Sequence, residues 1–150
     1  MKIEIIKSTK KDFKDILKLI NELAKFEKLE PPNSKACNRL KRDAFGKKPK
    51  FRVLLAKTND EAVGYAIYFF TYSSFLARET LYLEDIFISE NYRKLGIGKL
   101  LFNELISIAK KNKCGRMEWC VLDWNTNAIK FYEKLEAKHL REWLYYRISF

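Results

Sequence analysis

Seven consecutive residues, Arg93-Lys94-Leu95-Gly96-Ile97-Gly98-Lys99, connect an apolar run with strand character (residues 81–88) to a segment with helical spacing. Two glycines at such a junction let the backbone approach a ligand closely, and the first amides of a helix have no acceptor of their own. With Arg93, Lys94 and Lys99 adding charge, the turn can cradle a pyrophosphate. An ordinary tight loop uses glycines in the same way. The phosphate loop GxxxxGK[ST] is absent, and Gly96-Ile97-Gly98 lacks the third glycine of the dinucleotide fingerprint.

A second group follows at residues 118–132. If a helix begins near Asn125, then Asn125, Ala128, Ile129 and Tyr132 share one face, with Asn125 at the position of an N-cap. A tyrosine there can donate a proton to a developing anion such as a thiolate. Taken alone, a tyrosine at this position is more often a core or packing residue.

The chain that must position these groups has 150 residues, 47% apolar and 33% charged, enough for one core without metal or disulfide staples. Eleven Phe, eight Tyr and three Trp exclude a disordered chain. The longest apolar run, residues 62–72, is too short for a membrane helix, and the first residues lack the apolar core of a signal peptide, so a cytoplasmic location is expected. Cys37, Cys114, Cys120 and the single His139 have no metal-ligand spacing; neither zinc nor disulfides are expected. The net charge of +11 is uneven: residues 1–50 carry +8 and residues 51–150 carry +3. Residues 35–57 hold nine basic side chains and one acid, Asp43, a composition that attracts polyanions but supplies no chemistry.

Periodicity predicts a first strand around Ile3 and Ile5, helices over 12–28 and 34–44, and strands over 51–57 and 62–72 joined as a hairpin through Thr58-Asn59-Asp60-Glu61. A strand over 80–88, a helix over 96–111, a strand over 116–122, a helix over 126–134 and a last strand over 143–150 follow. Pro31-Pro32 is expected to stop the first helix. The order predicts an α/β fold: one domain over 1–150 with a mixed central sheet and helices on both faces.

Against this background the sequence resembles the GCN5-related N-acetyltransferase superfamily, and within it the diamine (spermidine/spermine) and thialysine acetyltransferases. The superfamily loop maps onto Arg93-Lys94-Leu95-Gly96-Ile97-Gly98, and the narrower pattern recurs at residues 15–17, 23–27, 44–46, 83–88, 124–125 and 131–132. The resemblance covers nearly the whole chain. It implies direct acetyl transfer from acetyl-CoA, as cosubstrate, to a primary amine, without a metal, by a homodimer. On the cofactor side it implicates Ile86, Phe87 and Ile88 for the pantetheine arm and Arg93, Lys94, Leu95, Gly96, Ile97, Gly98 and Lys99 for pyrophosphate. Asn125, Asn127, Ala128 and Tyr132 are implied contacts near the second helix start.

The resemblance further implies Tyr132 as the acid that protonates the leaving thiolate and Glu84 as the carboxylate that engages the amine through water. Phe26 and Glu27 match an amine-binding aromatic and acid, and Asp85 is either a substrate-binding carboxylate or a structural residue. Alternation along a strand predicts Glu84 and Asp85 on opposite faces. Where the family often has Tyr, this chain has Phe26, and the following segment is unusually basic. Both features favour a small diamine or a thialysine-like amino acid over spermine. The alternatives are a protein or peptide acetyltransferase, and a non-catalytic module binding protein or nucleic acid; nucleic acid is the less expected partner.

Overall fold

A computed structural model describes residues 2–150. The described residues up to Trp119 form one compact unit, and residues Cys120–Phe150 form a second.

The first unit is built on a five-stranded sheet in the order β1-β2-β3-β4-β5, with β1 at Glu4–Lys7, β2 at Arg52–Thr58, β3 at Glu61–Ser73, β4 at Arg78–Ile88 and β5 at Arg116–Trp119. Neighbours from β1 to β4 run antiparallel, whereas β5 runs parallel to β4. The mixed sheet expected from the sequence is therefore present. Asn59 and Asp60, both at positive φ, close the β2–β3 hairpin in the conformation that matches strand twist.

Helix α1 (Phe13–Glu27) and helix α2 (Ser34–Phe45) belong to one face of the sheet. Ile16 and Leu19 of α1 pack with Val53, Leu55, Tyr65, Ile67 and Phe87, and Phe13 meets Phe45 edge-on at 6.3 Å. Helix α3 (Ile97–Lys111) buries Ile97, Leu101, Phe102, Leu105 and Ile108, with Phe102 edge-on to Trp119 at 5.1 Å. Trp119 pairs with Leu83, on the face away from Ile67. Helices thus cover both faces.

The ends of α1 show how local chemistry sets the frame. Lys28 adopts φ 57°, and Leu29 N–H donates to Ala24 O at 2.9 Å, so a left-handed cap ends the helix before Pro31-Pro32 is reached. Asn33 caps α2 by accepting from Ala36 N–H at 3.0 Å. Ser89, just past β4, donates to Glu22 at 2.6 Å and ties α1 to that strand end. At Gly64 a Cβ would meet Phe87 O at 2.9 Å and Ile88 Cδ1 at 2.6 Å, so only glycine lets β3 lie this close to the last residues of β4.

The second unit carries one helix, α4 (Thr126–Lys134), with the bounds the sequence predicts. The strand predicted over 143–150 is not formed. Its apolar side chains are exposed, Trp143 at 74% and Tyr146 at 85%, and no described strand pairs with it; strand-forming residues without a ladder partner make no strand. Strand β5 also ends at Trp119, three residues short of the expected limit, because its pairing with β4 stops at Leu83.

Candidate active site

Strand β4 does two things along its length. Thr80 to Leu83 pair with β5, whereas the residues beyond Leu83 pair only with β3. The change falls at a bulge. Ile67 and Tyr68, consecutive on β3, oppose Asp85 and Leu83, so Glu84 is the extra residue. Alternation slips there: Leu83 and Asp85, two apart, point to opposite faces, and the simple rule that would set Glu84 against Asp85 does not apply. Past the bulge, Ile86, Phe87 and Ile88 form the stretch of β4 that β5 leaves unpaired, which offers backbone groups to an extended ligand.

On the α1 face Asp85 lies beside Tyr65, whose hydroxyl donates to Asp85 Oδ2 at 3.4 Å. Burial pushes the Asp85 carboxyl up to about 6, with the charges of Glu84 and then Glu27 adding to the rise and the Tyr65 bond opposing it. Burial also pushes Glu27 up. Three carboxylates, Glu27 at the end of α1 and Glu84 and Asp85 on β4, are thus close enough to feel one another. Such a group draws a cation and can accept its proton near neutral pH.

An aromatic wall adjoins the carboxylates. Phe87 lies 6.5 Å from Phe26 and 6.5 Å from Tyr65, ring centre to ring centre. The Arg93 guanidinium sits 4.9 Å from the Phe26 ring and 5.4 Å from that of Phe87, while its Nε donates to Ile88 O at 3.0 Å. Arg93, expected among the pyrophosphate contacts, is committed to this wall. Sequence reasoning missed Tyr65, because a tyrosine within GYAIYFF reads only as a core strand residue.

After β4 the chain turns through residues 90–96. Lys94 has φ 64° and Gly96 has φ 80°, with open space where a Gly96 side chain would stand. Gly96 caps α3, accepting from Leu100 N–H at 3.1 Å, so the amides of Ile97, Gly98 and Lys99 occupy the first turn, where a helix provides no acceptor. These amides, together with the Lys94 and Lys99 charges, suit a phosphate-bearing molecule such as the diphosphate of a coenzyme.

In the second unit Asn125 caps α4, its side chain accepting from Ala128 N–H at 3.2 Å. Tyr132 is half-buried on α4 and stands 5.6 Å from the Phe131 ring. Asn127 is exposed in the first turn. Among the described residues no cluster of His, Cys, Asp or Glu is arranged to hold a metal, and no helix is long and apolar enough to cross a membrane. A separate cleft of about 400 Å³, lined by Lys7, Ser8, Lys10, Phe45, Gly46 and Arg52 among others, takes in part of the basic segment and none of the three carboxylates.

A mixed sheet whose fourth strand runs on past the end of the fifth, beside a glycine-containing turn onto a helix, leaves backbone groups and helix amides free for a phosphate-bearing ligand. Residues 14–136 match the acetyltransferase (GNAT) family, and the chain belongs to it. It is 36% identical to a thialysine N-epsilon-acetyltransferase of Mus musculus over 92% of this chain and 87% of that protein. It is 47% identical to an L-ornithine N5-acetyltransferase of Arabidopsis thaliana over 62% of this chain, an alignment that spans only 41% of the plant protein. Among solved structures, an integron cassette protein from the mobile metagenome of V. cholerae superposes with a TM-score of 0.87 at 28% identity, covering 99% of this chain and 93% of that one. The chain is an acetyl-CoA-dependent amine N-acetyltransferase, with acetyl-CoA as cosubstrate.

Proposed function

We propose that residues 1–150 act as one acetyltransferase domain whose acceptor is a small diamine or a thialysine-like amino acid with a terminal amine. The observation that carries this reading is the grouping of Glu27, Glu84 and Asp85 beside the Phe26–Phe87 wall, where β4 runs on past the end of β5. The carboxylates hold the ammonium and take its first proton, passing it to solvent. The neutral nitrogen attacks the acetyl carbon, the C–S bond breaks, and the nitrogen sheds its second proton as the amide forms. Tyr132 gives its phenolic proton to the departing sulfur, and backbone donors on the unpaired stretch of β4 steady the charge on the carbonyl oxygen.

Arg93 bears on the choice of amine. Its guanidinium already covers the Phe26 ring, where a second or third ammonium of a long polyamine would otherwise find a cation–π partner. With a net charge of +11 on the chain as a whole, each further positive group that reaches beyond the three carboxylates is repelled. Similarity to transferases named for thialysine and ornithine supports an acceptor with one reacting amine at the end of a short chain. The exposed Trp143, Leu144, Tyr145, Tyr146 and Ile148 support assembly as a homodimer, since so many adjacent apolar side chains gain by being covered.

The test is acetyl-CoA consumption at fixed ionic strength across diaminopropane, putrescine, spermidine, spermine, lysine, ornithine, thialysine and a lysine peptide, with products identified by mass. The expected result is the highest kcat/KM for a short diamine or an amino acid. Preference for spermine would refute the charge argument, and acetylation of the peptide alone would make the chain a protein acetyltransferase.

A further inference from the structure

Tyr65 is completely buried on β3, packed with Leu19, Leu55 and Phe87. Packing has no use for its hydroxyl, because phenylalanine fills nearly the same volume without a polar atom to desolvate. The hydroxyl is directed instead to Asp85 Oδ2 at 3.4 Å. Strand register makes the meeting possible. Tyr65 opposes Phe87 and Ile67 opposes Asp85, so Tyr65 and Asp85 are diagonal neighbours on the α1 face. The bulge at Glu84 is what brings Asp85 to this face, since an unbroken ladder would have left it on the side of Leu83 and Tyr68, away from Tyr65.

We propose that Tyr65 is a positioning residue for the acceptor amine: its buried hydroxyl fixes the Asp85 carboxylate in one orientation beside Glu27 and Glu84. The role rests on the acceptor reading given above. A carboxylate held by a buried donor presents its remaining lone pairs in one direction, whereas a carboxylate without that bond turns about its own Cβ–Cγ axis. The bond also opposes protonation. The groups around Asp85 are Glu84 on its own strand, Glu27 from α1 and Tyr65 from β3, with Arg93 from the following turn lying on the Phe26 and Phe87 rings. Burial and the two carboxylates favour the protonated acid, and the Tyr65 hydroxyl alone favours the ionised form.

The experiment compares the full chain with Tyr65→Phe, which preserves the ring, and repeats that change in an Asp85→Asn background. Carbon-detected NMR follows the Asp85 carboxyl without any substrate. Loss of the hydroxyl is expected to move its titration up by about 0.5 pH unit, the scale of one weak hydrogen bond. The acid limb of kcat/KM for the best amine should move by the same amount, with a loss of about 2- to 3-fold at pH 6 and recovery above pH 8. In the Asp85→Asn chain, Tyr65→Phe should change nothing further. An unmoved Asp85 titration, a moved titration with an unmoved rate profile, or an equal loss in the Asp85→Asn background would each overturn the role of Tyr65. A wild-type chain that acetylates no amine would instead overturn the acceptor reading, and the substrate-free titration keeps the two failures apart.

Discussion

The described residues before Cys120 and those from Cys120 to Phe150 solve different problems. The first region buries Leu19, Leu55, Tyr65, Leu81, Leu101 and Leu105 to 0% exposure, and its acidic group and glycine turn stand on elements anchored by that core. The second contains no buried residue, yet it carries Tyr132. Acceptor carboxylates need a rigid, partly desolvated setting to feel one another, whereas a proton donor to sulfur needs only its hydroxyl and the correct placement. Energy of folding and one half of the proposed chemistry therefore reside in different stretches of the chain.

Substitutions can break that contrast. The largest effect is expected for Leu19→Ala, which should cost about 2–5 kcal/mol in denaturant unfolding because it empties a fully buried site. A loss below about 1 kcal/mol would mean that the α1 face is not the main core. Next, Tyr132→Phe should lower kcat about 10- to 100-fold with little change in acetyl-CoA affinity, since the ring stays and the proton goes. Unchanged turnover would remove the acid role.

Asp85→Asn links the chemistry to stability. The folded carboxyl titrates near 6, above the ordinary 3.8, so its contribution to stability is complete below pH 3.8 and is lost as pH rises through 6. Replacing it with a neutral amide should therefore raise stability at pH 7.5 by about 1–3 kcal/mol and change it little at pH 3.5, measured by urea unfolding at both pH values. Equal effects at both would show that the charge is not the cause. In the wild type, kcat/KM should decline as pH falls through about 6, where Asp85 becomes protonated. The smallest effect on folding is expected for Trp143→Ser, within about 0.5 kcal/mol, because that side chain is 74% exposed. If these side chains cover one another between copies, as proposed, sedimentation should nonetheless show weaker self-association, and unchanged sedimentation would count against the proposed homodimer.

How much of this was legible beforehand depends on whether a signal is local. Helix periodicity is carried within each segment, and α1 and α4 fall within a residue of the bounds read from spacing alone. The hairpin at Asn59-Asp60 was equally visible, since its turn residues are its cause. A strand, by contrast, exists only with a neighbour. Residues 143–150 have strand-forming side chains and no strand partner among the described residues, and β5 stops where β4 ceases to pair with it. The bulge at Glu84 has no signature in LEDIF, and Tyr65 becomes a candidate only when register sets it diagonal to Asp85. Glu27, Glu84 and Phe26 were read through resemblance rather than spacing. Geometry adds their mutual proximity and the covering of Phe26 by Arg93.

The most direct test of the account is a crystal structure of the chain with CoA and the preferred amine bound. The expected result has the pantetheine arm along Ile86 to Ile88, the diphosphate on the first-turn amides of α3, and the ammonium among Glu27, Glu84 and Asp85. Tyr132 Oη should stand about 3 Å from the CoA sulfur, within reach of proton transfer. CoA bound elsewhere, or a sulfur beyond the reach of Tyr132 with no intervening water, would contradict it.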